Sequence, residues 1–273
     1  MQLCLSARSS GDASLEGQVQ AAAYAGFRCI DLWAPELEAY LSSYHVAFLD
    51  ATLGEHGVYA AAVSGTEPLL FRTRTESLVI QAHFLELCTR LDALGGGLVL
   101  AYPGPRPDWM ASDSESADWA VHTLRGLADL AAPFDVRVAF EFRAGVHSLV
   151  RSLAQSQEII RRTARRNVGL SLSTVEFHRS GGLPQQLDTV DMEQLWFVHL
   201  GDARDACTET MRPEEGTLPG HGDIPLQAIC GKLAERGFLG PYGVQVYAPP
   251  GDLAEAARAA RDAVLEMFMP SPA

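Results

Sequence analysis

Eight short apolar runs, each followed by a longer stretch with helical periodicity, constrain this chain more than any other feature of its sequence. The runs fall near residues 2–6, 28–32, 58–63, 97–101, 136–141, 168–172, 196–200 and 243–247. Helical patterns follow near 14–25, 36–56, 75–94, 115–132, 148–164, 183–193, 224–236 and 252–267. Strands that alternate with helices form parallel βα units, and eight such units close into a barrel. Gly26, Gly57, Gly95 and Gly237 stand just past helical segments, where a left-handed cap favours glycine. The chain's 273 residues suit the roughly 250-residue size of one (β/α)8 domain. The expectation is therefore a single α/β TIM barrel over residues 1–268, with 269–273 as a frayed tail.

Composition removes several function classes. A formal net charge of −13 disfavours nucleic acid, whose binding rests on Lys and Arg neutralising phosphates. No apolar stretch approaches the roughly 20 residues needed to span a bilayer, and Met1–Ser10 lacks the pattern of a secretory leader. A cytoplasmic protein with no membrane partner is expected. The five cysteines, Cys4, Cys29, Cys88, Cys207 and Cys230, are odd in number and lack Cys-x-x-Cys spacing. Buried thiols are expected of most, not disulfides or a zinc knot. Lys232 is the one lysine and lies in an amphipathic helical pattern, which leaves a Schiff-base mechanism without a candidate.

Barrel active sites are built at the C-terminal ends of the strands. Glu141 ends the apolar run Val138-Ala-Phe-Glu-Phe142. Burying a lone carboxylate is expensive, so a ligand or base in the pocket is the favoured reading. An ion pair with Arg143 is the less favoured one, because residues 141 and 143 would share a strand face. His199 follows Trp196-Phe-Val and precedes Leu200, with Asp202 three positions on. Asp202 and Arg204 are either substrate contacts or loop residues that cap structure or pair with each other. Arginine would suit an oxyanion, which its planar fork binds at two points. Glu176, His178 and Arg179 occupy a polar loop before Gly181-Gly182, and His221 sits in Pro219-Gly-His-Gly222. Trp33, Tyr102, Trp109 and Tyr247 lie at or beyond strand ends and could wall a sugar ring or complete the core.

The text around these residues carries a resemblance. Val138–Phe142, Val168-Gly-Leu-Ser-Leu-Ser-Thr-Val-Glu-Phe-His178, Trp196-Phe-Val-His-Leu-Gly-Asp202, Leu218-Pro-Gly-His-Gly222 and Gly240-Pro-Tyr-Gly-Val-Gln-Val246 follow one another at intervals of one strand and helix each. This series resembles the xylose isomerase-like TIM-barrel superfamily of sugar isomerases, epimerases and dehydratases, specifically over about residues 136–250. The resemblance implies a divalent metal held by Glu, Asp, His and Glu at the ends of strands five to eight. Glu141 and His199 match that pattern; Ser173 stands where Asp is expected and Gln245 where Glu is expected. Glu176 stands where a His is common, and His221 where Pro-Gly-Glu-Gly is usual.

The substitutions change the electrostatics of the implied site. The family pattern places three carboxylates around the cation, and this chain keeps one. Each lost carboxylate removes attraction on the order of several kcal/mol at an effective dielectric near 20. A weakly held divalent cation (magnesium, manganese or zinc) on Glu141 and His199, or none, is therefore expected, with serine and amide oxygens as neutral donors. The resemblance implies an isomerase- or epimerase-like enzyme, with a lyase or dehydratase as a variant. It would act on a sugar-like carbonyl compound through an enediolate, with Glu141 and His199 catalytic. Ser173, Glu176, His178, Asp202, Arg204, His221 and Gln245 would contact the substrate. The alternative is a non-catalytic barrel that binds a ligand or partner protein in the same pocket. Homo-oligomerisation is left open.

Overall fold

The computed structural model describes residues 1–6, 13–66, 74–95, 97–106, 113–204, 216–246 and 252–268. Eight parallel strands form a closed barrel: β1 (Gln2–Ser6), β2 (Cys29–Trp33), β3 (Tyr59–Ser64), β4 (Gly97–Ala101), β5 (Val136–Phe140), β6 (Val168–Ser173), β7 (Leu195–Leu200) and β8 (Pro241–Gln245). Neighbours run β1-β8-β7-β6-β5-β4-β3-β2 around the ring. Two two-residue segments, Asp202–Ala203 and Gly216–Thr217, add a small antiparallel ribbon above β7.

Helices α1 (Leu15–Ala25), α2 (Ala34–Leu41), α3 (Val46–Glu55), α4 (Arg74–Ala93), α5 (Asp113–Ala131), α6 (Leu153–Thr163), α7 (Thr174–Arg179), α8 (Leu226–Glu235) and α9 (Leu253–Phe268) accompany the strands. Gly26 closes α1 at φ +83°, and the other three cap glycines also have positive φ, as their positions require. None of the described helices is long and apolar enough to cross a membrane.

Three boundaries differ from those read in the sequence. The 36–56 pattern is two helices, because Ser42–Tyr44 turn and His45 restarts the chain as the N-cap of α3, its Nδ1 accepting from Ala47 N at 3.2 Å. The expected helix over 183–193 is a single 3-10 segment, Pro184–Thr189, preceded by the short α7 directly after β6. The last strand ends at Gln245, not 247. Trp109, Cys207, Tyr247 and the 269–273 tail lie outside the described residues. Cys4, Cys29, Cys88 and Cys230 are buried free thiols.

The core has two layers. Between barrel and helices, Val19, Leu37, Phe84, Leu124, Ile159 and Leu233 pack against the outer faces of the strands. Inside the barrel lie mostly small or slender residues, Cys4, Cys29, Ala62, Leu98, Leu100 and Ala139, together with two large rings, Phe197 and Tyr102. Phe197 is the one beneath the site. Gly243 makes room for that ring, since a Cβ there would stand 2.6 Å from it. Phe197 in turn meets the His199 imidazole edge to face, ring centres 5.0 Å apart. Because side chains alternate along a strand, His199 stands one inward position above Phe197. The interior packing thus sets the floor on which the polar groups rest. Phe197→Ala is expected to destabilise the fold by roughly 3–5 kcal/mol, read from urea unfolding, with the cavity directly under His199.

Candidate active site

Parallel register brings the polar ends of the strands level with one another. Ser6 pairs with Asp31 on β2 and with Gln245 on β8, and Ser173 pairs with His199. Glu141 is the residue immediately after β5, its amide still donating to Ala101 O at 2.9 Å.

At the centre, His199 lies between two buried carboxylates. Nδ1 is 2.7 Å from Glu141 Oε2 and Nε2 is 3.1 Å from Asp31 Oδ2. All three side chains are 0–1 % exposed. With both acids ionised, each ring nitrogen donates and the ring is an imidazolium. Serine hydroxyls complete the shell. Ser171 Oγ donates to Glu141 Oε2 at 2.7 Å; Ser6 Oγ and Ser64 Oγ donate to Asp31 Oδ2 at 3.1 and 2.9 Å.

The electrostatics follow from that contact. Burial alone would raise the Glu141 carboxyl, but the charges of His199 and Arg143 and the hydrogen bonds from His199 and Ser171 hold it down at about 2. Burial would likewise lower His199, yet the Glu141 charge and the Asp31 and Glu141 hydrogen bonds lift it to about 9. One oxygen on each acid is left over: Asp31 Oδ1 and Glu141 Oε1 are buried and have no hydrogen-bond partner.

Arg143 approaches that second Glu141 oxygen, Nη1 at 3.2 Å from Oε1. The ion pair that the shared-face argument disfavoured is therefore present. Its physical reason is that β5 stops at Phe140, so strand alternation no longer applies beyond it. The guanidinium lies over the Tyr102 ring, 4.1 Å from its centre, and 3.7 Å from Glu176 Oε1. Glu176 also accepts from Ala144 N at 2.7 Å and pairs with Arg179 at 3.5 Å.

The remaining expected residues divide by position. Ser173, 3 % exposed, is the N-cap of α7 and its Oγ accepts from Glu176 N at 3.3 Å. Gln245 is buried against Gly201, where an added Cβ would overlap the amide oxygen. His178 is half-buried on α7, whereas Arg204 and His221 are exposed on the loops. Asp202 turns into backbone. Its carboxylate accepts from Ala203 N, Gly220 N, Gly222 N and Ile224 N at 2.8–3.3 Å, which fastens the Pro219–Gly222 loop to the end of β7. Asp31, Ser6, Ser64 and Ser171 were absent from the sequence-derived set. For Asp31 the signal was available: a carboxylate in the apolar run Cys29-Ile-Asp-Leu-Trp33.

A closed eight-stranded barrel with a carboxylate and histidine at these strand ends defines the class. The chain belongs to the xylose isomerase-like TIM barrel family, whose family model matches residues 19–265. Its relatives include inosose isomerases. That of Halalkalibacterium halodurans is 30 % identical over 157 residues, 56 % of either chain. That of Bacillus velezensis is 25 % identical over 253 residues, 91 % of this chain and 89 % of the relative. The chain spans about half the length of the Halalkalibacterium halodurans relative and of an inosose isomerase of Bacillus subtilis to which it is 32 % identical over 130 residues. A crystal structure of the IOLI protein with a bound zinc atom superimposes with a TM-score of 0.90 at 24 % identity, covering 98 % of both chains, and establishes the shared fold.

The donors present here do not fit such a metal ion. Both His199 nitrogens are already engaged by carboxylates, as is one oxygen of Glu141 by His199 and Ser171. Ser173 is occupied as a helix cap, and a guanidinium stands beside the other Glu141 oxygen. At an effective dielectric near 20, a divalent ion ~4 Å from that guanidinium would be repelled by roughly 8 kcal/mol.

The pair leaves a pH signature. Glu141, depressed from 4.5 to about 2, contributes stability that is full above 4.5 and lost as pH falls toward 2. His199, raised from 6.5 to about 9, contributes stability that is full below 6.5 and lost as pH rises through 9. Urea midpoints should therefore show the pair at full strength between pH 4.5 and 6.5 and decline on both sides. His199→Gln should flatten the alkaline decline; an unchanged alkaline limb would mean that His199 is neutral in the folded protein.

Proposed function

We propose that this barrel is a sugar isomerase- or epimerase-like enzyme. Its substrate would be a small polyhydroxylated ketone of the inosose type, and it would work through an enediolate at the Glu141–His199 centre. The observation that carries the reading is the buried Asp31–His199–Glu141 line with Glu141 Oε1 held ionised and without a hydrogen bond. An anionic oxygen kept out of water, with the Arg143 guanidinium beside it and no hydrogen bond, is suited to accept a proton. The inosose isomerase relatives support the substrate class.

In the proposed reaction Glu141 takes the proton from the hydroxyl-bearing carbon beside the carbonyl. The C–H electron pair becomes the carbon–carbon double bond, and the carbonyl π pair moves onto oxygen. Glu141 then returns a proton, which exchanges in part with solvent while the enediolate persists. Return to the former carbonyl carbon, with the hydroxyl proton passing between the two oxygens, gives the isomerised ketone; return to the original face regenerates the substrate with an exchanged proton, and the epimer forms only when the enediolate turns its opposite face to Glu141. No atom is gained or lost.

Glu141 held at about 2 is ionised at every working pH but is a weak base. Proton abstraction therefore depends on positive charge at the substrate oxygen, which lowers the cost of the enediolate. His199 sustains that field, although both of its N–H groups are committed to carboxylates. Ser173 and Gln245 offer neutral hydrogen-bonding groups for ring hydroxyls. Asp202 acts through the loop that carries His221, and Glu176 through Arg143. His178 and Arg204 flank the mouth.

Glu141→Gln is expected to lower α-proton exchange into heavy water, followed by NMR on inososes and ketoses, by roughly 10²–10⁴-fold. Should the unaltered protein exchange no proton from any compound in the panel, while one of them binds and its affinity is unmoved by Glu141→Gln, the non-catalytic binding barrel replaces this reading.

A further inference from the structure

The proposed reaction needs a cation at the substrate oxygens, and of the family's four metal donors two are replaced by Ser173 and Gln245 while Glu141 and His199 are engaged by other partners. We propose that Arg143 takes that place, so that this barrel performs its proton transfer without a divalent metal. The inference rests on the enediolate reading above and adds the group that binds the oxyanion.

Three contacts fix the guanidinium. The Tyr102 ring centre lies 4.1 Å from it, Glu141 Oε1 stands at 3.2 Å and Glu176 Oε1 at 3.7 Å. Glu176 is itself held by Ala144 N and Arg179, so the clamp is anchored to the loop after β5 as well as to α7. The Arg143 side chain remains 24 % exposed, against 0 % for Glu141 beside it. It is therefore the one cation of this cluster that touches the proton acceptor and still reaches the solvent side.

Charge and shape point the same way. Among the described residues, the ion pairs of the cluster match Asp31, Glu141 and Glu176 with His199, Arg143 and Arg179. A divalent ion would leave the cluster with two uncompensated positive charges. The planar fork of arginine binds the two oxygens of a carboxylate side by side, and the two oxygens of a cis-enediolate present the same arrangement. Glu141 and Arg143 then meet one substrate unit: the acid takes the carbon-bound proton and the guanidinium holds the oxygens that receive the charge.

The test uses the purified full chain, dialysed against a chelator, with zinc alone as the metal probe and inosose α-proton exchange as the catalytic one. The expected results are no stoichiometric zinc by calorimetry and an exchange rate that neither chelator nor added zinc changes. Arg143→Gln should lower exchange by roughly 10²–10³-fold, the scale of a lost oxyanion donor, and Arg143→Lys should restore only part of it. In a Ser173→Asp, Gln245→Glu background, adding Arg143→Val should raise zinc affinity by roughly 10-fold or more, because it removes the competing charge. Exchange that disappears on chelation and returns with zinc overturns the inference while leaving the isomerase reading intact. So does full exchange in Arg143→Gln. Absence of exchange in the unaltered, folded protein overturns the isomerase reading; in that case tight stoichiometric zinc on the unaltered chain, or no gain from Arg143→Val, also refutes the role given to Arg143.

Discussion

The site depends on a single imidazolium shared by two buried carboxylates. His199 bridges Asp31 and Glu141, and the Glu141 charge with the hydrogen bonds to both acids favours its protonated form against the cost of burial. The three come from β2, the end of β5 and β7, so closing the ring and satisfying the charges are one event. Removing one partner of such a buried group typically costs 3–5 kcal/mol, because the charge left behind has no water to turn to. The serine hydroxyls from β1, β3 and β6 matter for the same reason: they occupy lone pairs that would otherwise be stranded.

A second anchor holds the loops above β7. Asp202 collects backbone N–H groups from both sides of Pro219–Gly222, and Gly222 lies so close that an added Cβ would overlap the carboxylate. Thr174 and Gly201 exchange hydrogen bonds at 2.7 and 3.0 Å and join the start of α7 to the end of β7. Position at the mouth is thus not the same as contact with a substrate. The Asp202 carboxylate is spent on shaping its loop.

What was legible in the sequence follows from range. The alternation of apolar runs and helical stretches is local, and it gave all eight strands with small boundary errors. Glu141 and His199 stood out because each interrupts an apolar run at a strand end. Asp31 carried the same signal but was passed over, since its meaning lies in a partner 168 residues away. Ser6, Ser64 and Ser171 are ordinary residues whose role exists only once the barrel closes. The Arg143–Glu141 pair departs from the reading by a local rule, strand alternation, because Arg143 lies three residues past the end of the strand that rule governs. The break inside 36–56 was hidden because its apolar spacing continues across Ser42–His45.

The departures from the family pattern also make physical sense as a set. With a divalent ion at the centre, acids at positions 173 and 245 would be compensated. Without it, each would be a nearly buried charge, 3–4 % exposed where Ser173 and Gln245 now stand, with no cation to answer it. A neutral serine can instead cap α7, and a neutral amide can lie against Gly201. Conversely, a guanidinium beside Glu141 is favourable only where no ion competes for the same oxygen. Ser173, Gln245 and Arg143, with Glu176 steadying it, therefore stabilise one another's presence. Their effects should be strongly coupled, as is usual for charges that share partners. The site is most simply understood as one electrostatic solution exchanged for another on an unchanged barrel.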